Sequence, residues 1–205
     1  MIVDLKQYKS VICLDGDLPS DLVRQMSSLR IIATDGAADK LVRNKIDPDL
    51  IIGDLDSASP DVLKHFEHIK VEDQDFTDFE KALSHVKEQN LQPSIITGVN
   101  GGYLDRILMN ISVLLQTNSI FVSENMVGLV ISGHSEIACP ISSKISIFGF
   151  NNAEVTTSGL KWNLDHATLN FGDYASCSNV AVSEKISLDI STLAIMFIYG
   201  KVELN

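Results

Sequence analysis

The segment Leu50-Ile51-Ile52-Gly53-Asp54-Leu55-Asp56-Ser57 places a short apolar run directly before a pair of carboxylates. A short apolar run bounded by turn residues is typical of a buried strand. Asp54 and Asp56 then lie in the turn that follows the strand, where both carboxylates can face one ion. An ordinary acidic loop that leads to a helix is the alternative interpretation of the same residues.

The same succession of an apolar run and polar residues recurs along the first part of the chain. The apolar run Ile31-Ile32-Ala33-Thr34 precedes Asp35-Gly36-Ala37-Ala38-Asp39, and the run Ile69-Lys70-Val71 precedes Asp73-Gln74-Asp75-Phe76-Thr77-Asp78. A third run, Ser94-Ile95-Ile96-Thr97, precedes the glycine-rich segment Gly98-Val99-Asn100-Gly101-Gly102, and Asp105 lies just beyond it. In an open parallel α/β sheet the loops at the carboxyl ends of the strands line one crevice, and ligands bind there. So many acids at one edge repel each other unless a cation lies among them. Carboxylate oxygens suit Mg²⁺, and Mg²⁺ suits nucleotide phosphates, so the pattern predicts a metal-dependent phosphoryl or pyrophosphoryl transferase.

Helix signals alternate with these strands. A first helix is predicted to be capped by Ser20, with Leu22, Val23, Met26 and Leu29 on one face, and a second is predicted to open at Ser59-Pro60 and run through about Phe66. A third helix is predicted from the capping-box spacing of Thr77-Asp78-Phe79-Glu80. A fourth, amphipathic helix is predicted from the spacing of Leu104, Ile107, Leu108, Ile111 and Leu115. Asp78 in a first helical turn is favourable whether or not it has a function. Alternating strands and helices predict βαβ units and a Rossmann-like open parallel sheet over residues 1–122.

The pattern changes near residue 118. Short β-type runs follow at Ile120-Phe121-Val122, Val127 to Ile131, Ile145 to Phe148, Ala167 to Phe171, Ile186 to Ile190 and Leu193 to Tyr199. Turn residues separate them, and no long helical period appears. We therefore expect a second, all-β domain, a β-sandwich, over residues 125–205.

Composition narrows the classes of function. A formal charge of −11 and an isoelectric point near 4.7 argue against a nucleic-acid partner, because a nucleic-acid backbone calls for a basic surface. Cys13, Cys139 and Cys177 form no CxxC pair, which favours neither a zinc site nor a disulfide framework. Residues 1–10 lack the apolar region of a signal peptide, and no apolar stretch approaches the ~20 residues of a membrane span. A cytoplasmic protein without a membrane partner is expected.

Taken together, these segments closely resemble the thiamin pyrophosphokinase family. Besides the acidic stretches and the glycine-rich turn that leads to Asp105, Gly159-Leu160-Lys161-Trp162-Asn163-Leu164 and Ser176-Cys177-Ser178-Asn179 match two further signatures in the expected order. The resemblance spans essentially the whole chain. It implies an enzyme, a homodimer with active sites at the subunit interface, in which ATP gives its terminal pyrophosphoryl group to the hydroxyethyl oxygen of thiamin. The products would be thiamin diphosphate and AMP.

The resemblance also implies roles for individual residues. Asp54, Asp56 and Asp78 would hold Mg²⁺ and, with Asp105 and Arg106, form the catalytic set; Asp35, Gly36, Gly53, Ser57, Gln74, Thr77, Gly98, Gly101 and Gly102 would line the nucleotide cleft; and Trp162, Ser176, Ser178 and Asn179 would bind thiamin. The thiazolium ring is a cation, and tryptophan is the best aromatic partner for one. Without the resemblance, we would place Trp162 in the core of the β domain, and Ser178-Asn179 could equally be a simple turn.

One departure from the family concerns the glycine-rich turn. Tyr103 stands where an arginine is expected, and Arg106 stands where histidine or glutamine is common. Two alternatives stay open beside the leading prediction, the first because of the change at Tyr103 and the second because the pocket for the acceptor is the least specified part of the pattern. One is a catalytically impaired homologue that binds nucleotide or thiamin, which the full acidic set disfavours, and the other is a pyrophosphokinase that acts on a different small alcohol.

Overall fold

The computed structural model describes all 205 residues, and they form two compact units. One unit comprises Val3–Glu124 with Leu204–Asn205, and the other comprises Asn125–Glu203 with Met1–Ile2. None of the helices has the length and apolar character that crossing a membrane requires.

The first unit contains all the α-helices of the chain. Up to residue 123 the strands are β1 (Ile2–Val3), β2 (Ser10–Cys13), β3 (Arg30–Thr34), β4 (Leu50–Gly53), β5 (His68–Lys70), β6 (Ser94–Thr97) and β7 (Ile120–Ser123), and the helices are α1 (Ser20–Gln25), α2 (Asp35–Arg43), α3 (Pro60–His65), α4 (Asp78–Glu88) and α5 (Leu104–Leu114), with a 3₁₀ turn at Leu5–Gln7.

Six of these strands pair in the order β7-β6-β2-β3-β4-β5, and every pairing is parallel. Side chains along β2, β4 and β6 are buried throughout, as expected for a sheet covered by helices on its faces. β2 lies between β3 and β6, so the chain leaves β2 in one direction and later returns to its other side. The loops after β2 and β6 therefore lead in opposite directions along the sheet, which creates a topological switch point, where ligands bind in such sheets.

Two of the predicted helix starts are confirmed in atomic detail. Ser59 Oγ accepts a hydrogen bond from the Val62 amide at the start of α3. At the start of α4, Thr77 Oγ1 accepts from the Glu80 amide at 3.3 Å and Glu80 Oε2 accepts from the Thr77 amide at 2.8 Å, which completes the capping box. The predicted cap at Ser20 is wrong. Ser20 is the first residue of α1, and Pro19 precedes it without a capping side chain.

The second unit contains only strands and the turns between them. They are β8 (Met126–Ala138), β9 (Lys144–Phe150), β10 (Ala153–Ser158), β11 (Ala167–Leu169), β12 (Ser176–Val180), β13 (Lys185–Tyr199) and β14 (Glu203–Leu204). A mixed α/β chain whose second part is all β is confirmed at this level. The finer assignment to a Rossmann-like sheet and a β-sandwich stays a prediction.

A long antiparallel hairpin of β8 and β13 organises the second unit. Its register is interrupted between Ile190 and Ala194, and the residues of β13 on either side pair with different strands, β10 before the interruption and β9 after it. β11 pairs with β10, and β12 pairs with β9, both in antiparallel orientation. The prediction of only short strands was wrong here, because a bulge lets one strand continue through a bend and serve two neighbours.

Candidate active site

A cavity of about 550 Å³ opens at the carboxyl edge of the parallel sheet. Ten of the residues predicted from the sequence line it: Gly36, Asp54, Asp56, Ser57, Thr77, Asp78, Gly98, Gly101, Gly102 and Arg106. They come from the ends of β3, β4 and β6 and from the starts of α4 and α5. The loops that the sequence placed at one edge therefore do meet at one cavity.

Three carboxylates converge beside this cavity. Asp35, Asp54 and Asp78 each have an oxygen within 4.8 Å of the other two. Asp35 is the first residue of α2, Asp54 follows β4, and Asp78 is the first residue of α4. The helix that begins at Asp35 was not predicted, although Ala37, Ala38 and Leu41 give it a buried face.

Gly53 makes this convergence possible. A Cβ atom on Gly53 would lie 2.6 Å from Cβ of Asp35 and 3.2 Å from Oδ1 of Asp78. Any side chain at this position would therefore push the two acids apart. The close approach of backbone and carboxylates is the reason for the glycine at the end of this strand.

Asp35 holds the loop that carries Asp54. Its side chain is buried, and its two oxygens accept hydrogen bonds from the amides of Ser57 at 2.8 Å and Ala58 at 2.7 Å. Burial raises the pKa of Asp35, and these two amide bonds act in the opposite direction. Carboxylates of Asp78 and Asp54 raise the pKa further, as expected where like charges share a site.

Asp54 is held in its ionised form by a neighbour in the next loop. Gln74 Nε2 donates to Asp54 Oδ2 at 3.1 Å, and this bond is the main reason why the pKa of Asp54 lies below its ordinary value. Gln74 itself does not line the cavity. Asp56 lines the cavity but lies outside the three-acid group, and its Oδ1 accepts from the Ser57 hydroxyl at 2.9 Å.

Two cations of the cavity pair with one carboxylate, that of Asp15. Lys40 Nζ lies 2.9 Å from Oδ1 of Asp15, and Arg106 Nη1 lies 3.7 Å from Oδ2 of the same residue. All three line the cavity. Sequence reasoning missed Asp15 and Lys40, although Asp15 follows the apolar run Val11 to Leu14 in the same way as the other acids follow theirs.

The glycine-rich turn after β6 has a backbone that requires glycine. Gly98, Gly101 and Gly102 have φ values of +72°, +92° and +74°, and a Cβ on Gly98 would collide with the carbonyl oxygen of Leu14. Asp105 follows in the first turn of α5, where a negative charge favours the helix, and it does not line the cavity.

In the second unit the predicted thiamin-side residues lie around one turn. Asn179 is buried, and its Nδ2 donates to the Trp162 carbonyl at 2.7 Å and to Ser176 Oγ at 3.3 Å, while its Oδ1 accepts from the Trp162 amide. Asn179 thus anchors the backbone of Trp162. Ser178 lies in β12 at a register shift, with φ +59°, so it is not part of a simple turn.

The Trp162 side chain is 56% exposed, so the interpretation as a core residue is wrong. The ammonium group of Lys161 lies 4.6 Å from the centre of its ring. A cation of the chain itself therefore lies over one face of the indole ring. An exposed indole face can recognise an organic cation, whereas Ser176 is buried and its hydroxyl group accepts from Asn179.

Comparisons with known proteins identify the family of the chain. Residues 23–124 match the family "Thiamin pyrophosphokinase, catalytic domain", and residues 136–194 match "Thiamin pyrophosphokinase, vitamin B1 binding domain". Thiamine pyrophosphokinase 2 of Arabidopsis thaliana is 30% identical over an alignment of 220 residues, which covers 88% of this chain and 82% of the relative. Thiamin pyrophosphokinase 1 of Caenorhabditis elegans is 28% identical, with 82% and 77% covered.

Solved structures are similar in fold. Thiamin pyrophosphokinase from Candida albicans superposes with a TM-score of 0.82 at 18% identity, covering 98% of this chain and 93% of that one. The Bacillus subtilis enzyme gives a TM-score of 0.79 at 20% identity, covering 94% and 99%. At these identities the likeness concerns the fold alone.

The acidic cavity at the carboxyl edge of the parallel sheet and the two matched domains indicate the class of protein, an ATP-dependent transferase. The chain belongs to the thiamin pyrophosphokinase family. The predictions of this family, of an enzyme and of ATP-dependent thiamin diphosphate synthesis are confirmed by the comparisons.

Proposed function

We propose that the cavity at the edge of the parallel sheet binds ATP and transfers its terminal pyrophosphoryl group to the hydroxyethyl oxygen of thiamin. The thiamin oxygen forms a bond to the β-phosphorus as the bond between that phosphorus and the α–β bridging oxygen breaks, and AMP leaves. The hydroxyl proton passes to a carboxylate of the cavity. The observation that carries this proposal is the meeting of Asp35, Asp54 and Asp78 beside a cavity that also holds Lys40 and Arg106.

Mg²⁺ fits the donor set of this cavity. The three convergent groups offer only carboxylate oxygens, the ligands that Mg²⁺ prefers, and they repel each other when no cation is bound. Asp54 and Asp78 would hold the ion, with Asp56 as the third predicted ligand and with an oxygen of Asp35 within 4.8 Å of both. A bound Mg²⁺ would neutralise charge on the transferred phosphates and orient them.

Residues of the chain itself carry the remaining work in this proposal. Gln74 keeps Asp54 ionised and oriented, and Thr77 sets the start of the helix that presents Asp78. Lys40 and Arg106 supply positive charge for the phosphates, where Tyr103 offers none. The turn of Gly98, Gly101 and Gly102 brings backbone close to the nucleotide, because glycine has no side chain and readily adopts the positive φ values of this turn.

Thiamin binding is assigned to the second unit in the same proposal. The domain of residues 1–122 would bind nucleotide and metal, and the domain of residues 125–205, built as a β-sandwich, would bind thiamin and mediate dimerisation. The exposed ring of Trp162 supports this assignment, since an exposed indole face is suited to a thiazolium ring. The matched vitamin B1 binding domain supports it as well.

A homodimer is part of the proposal. Helix α5 presents Leu104, Leu108 and Met109 at 71%, 49% and 40% exposure on the single chain. An exposed group of large apolar side chains on one helix is typical of a surface that another protein covers. A second copy that covers α5 would stand next to Tyr103 and Arg106, at the edge of the cavity. A cytoplasmic location is also proposed, and the three free cysteines support it.

One assay tests the proposed reaction against its alternatives. Purified protein is incubated with ATP, Mg²⁺ and thiamin, and both AMP and thiamin diphosphate are quantified by chromatography. Formation of both products in equal amounts, only when thiamin is present, is expected. AMP with another small alcohol and not with thiamin would identify a different acceptor. Binding of nucleotide without AMP would identify a catalytically impaired homologue.

A further inference from the structure

Lys81 is a buried cation behind the three-acid group. Its side chain is only 4% exposed, and its Nζ lies 3.1 Å from Oδ1 of Asp78, one helical turn earlier in α4. Removing an ammonium group from water is costly, so a buried lysine needs a partner of opposite charge. Asp78 is the partner, and it is also one of the acids that converge at the cavity edge.

Lys81 does not contact the cavity where ATP is proposed to bind. Its side chain instead lines a separate cavity of about 480 Å³, together with apolar residues such as Ile52, Ile69 and Val71. The ammonium group therefore contacts the Asp78 carboxylate without lining the ATP cavity, and the acids Asp73, Glu80 and Glu88 line the second cavity beside the apolar residues. A direct contact with the phosphates is not available to it from this position.

We propose that Lys81 is a positioning residue that acts as the internal counter-ion of the metal site. By holding Oδ1 of Asp78 it orients that carboxylate, and its fixed charge offsets the repulsion among Asp35, Asp54 and Asp78. The three acids can then assemble during folding before any divalent cation arrives. The same charge weakens the binding of a free cation, so the site takes up its metal together with the nucleotide phosphates.

The inference rests on the proposed role of Asp78 at the metal site, but its test does not use turnover. Lys81→Met removes the charge and keeps a long apolar side chain. Lys64→Met is the matched control, since Lys64 pairs with Asp61 at the same spacing in α3, 3.4 Å apart, with both side chains exposed. Melting temperatures are measured with EDTA and with Mg²⁺, and Mn²⁺ affinity is measured by electron paramagnetic resonance without nucleotide.

Loss of the counter-ion should make the protein depend on metal. Lys81→Met is expected to lower the melting temperature in EDTA, to gain a larger increase from Mg²⁺ than the wild type does, and to bind Mn²⁺ about tenfold more tightly. Lys64→Met should match the wild type in all three measurements. An equal fall in melting temperature with and without Mg²⁺, together with unchanged Mn²⁺ affinity, would reduce Lys81 to a packing role and overturn the proposal.

A double variant keeps the test open if Lys81→Met does not fold. Asp78→Asn alone leaves the Lys81 ammonium buried without its partner, whereas Asp78→Asn with Lys81→Met removes both charges. The double variant is expected to melt above Asp78→Asn alone. A double variant that melts at or below Asp78→Asn would overturn the proposal. If the wild type bound metal as described and made no thiamin diphosphate, the proposed function would fail while this inference stood.

Discussion

Arg106 Nη1 lies 3.7 Å from Oδ2 of Asp15, a residue 91 positions earlier in the chain. Arg106 therefore pairs with a distant acid and not with Asp105, the residue before it. Since Lys40 Nζ lies 2.9 Å from the other oxygen of Asp15, this carboxylate gathers two cations at the cavity. The guanidinium carbon of Arg106 also lies 5.9 Å from the ring centre of Tyr103, within reach of a cation–π contact. The tyrosine that replaces the expected arginine thus helps to place a different arginine.

The first prediction concerns this arginine. Arg106→Ala is expected to lower kcat/KM for ATP by about 10- to 100-fold, the effect of losing one hydrogen bond between charged groups. Tyr103→Arg should gain little, because Arg106 already supplies the charge. Arg24→Ala is the control, since Arg24 pairs with Asp21 on the exposed surface of α1. An Arg106→Ala enzyme with unchanged kcat/KM would mean that Mg²⁺ and backbone amides hold the phosphates without it.

The second prediction concerns the acidic group. Asp54→Asn keeps the size of the side chain and removes its charge, so turnover should fall by about 100-fold or more through loss of a metal ligand. The melting temperature without metal should hold or rise, because repulsion is relieved. Asp56→Asn is measured beside it and is expected to lose turnover as well. Near-wild-type activity in both variants would contradict the metal assignment.

How far the sequence predicts this site depends on the range of the interactions involved. The capping box of Thr77 and Glu80 is local, so spacing alone located the start of α4. The sequence also indicated that Asp35, Asp54 and Asp78 each follow a parallel strand, and parallel strands bring their carboxyl ends to one edge. The helix that starts at Asp35 was not predicted, because its first turn contains aspartate and glycine, which have low helix propensity.

Contacts between distant segments were beyond sequence reasoning. Nothing local indicates that Gly53 makes room for two carboxylates, that Asn179 anchors Trp162, or that Asp15 pairs with Lys40 and Arg106. The prediction of two separate strands where β13 forms one was wrong for the same reason. Ile186–Ile190 and Leu193–Tyr199 looked like two strands, and only their pairing with β8 joins them into one.

The third prediction concerns thiol reactivity. Cys177 is exposed between Ser176 and Ser178, whereas burial raises the pKa of Cys13 to about 12 and also raises the pKa of Cys139. Because the thiolate is the reactive form, iodoacetamide should label Cys177 alone in the native protein. If this strand lines the thiamin site, thiamin should slow the labelling at least about threefold, as measured by peptide mass spectrometry. Equal rates with and without thiamin would place the strand outside the site.

The fourth prediction concerns the apolar face of α5. Leu108→Glu adds a charge at a side chain that is half exposed on the single chain, so its effect on the stability of one chain should be within about 0.5 kcal/mol. If a second copy covers α5, the buried charge should disrupt the dimer, and light scattering should report a monomer with reduced activity. Gln116→Glu, at an exposed site after the same helix, is the control. A Leu108→Glu protein that stays dimeric would place the interface elsewhere.

The last prediction concerns the competition at the Trp162 ring. Trp162→Ala should raise KM for thiamin by an amount that corresponds to about 0.5–2 kcal/mol of cation–π energy, with little change in melting temperature because the ring is largely exposed. Lys161 Nζ lies 4.6 Å from the ring centre, so it competes with a thiazolium ring that stacks on the same face. Lys161→Met should therefore lower KM for thiamin in the wild-type background and leave it unchanged when Trp162 is already alanine. Steady-state kinetics of the two single variants and the double variant measure this coupling. A Lys161→Met effect of equal size in both backgrounds would mean that Lys161 acts on thiamin by its charge alone. A large fall in the melting temperature of Trp162→Ala with an unchanged KM would mean that the ring stabilises the fold and does not bind substrate.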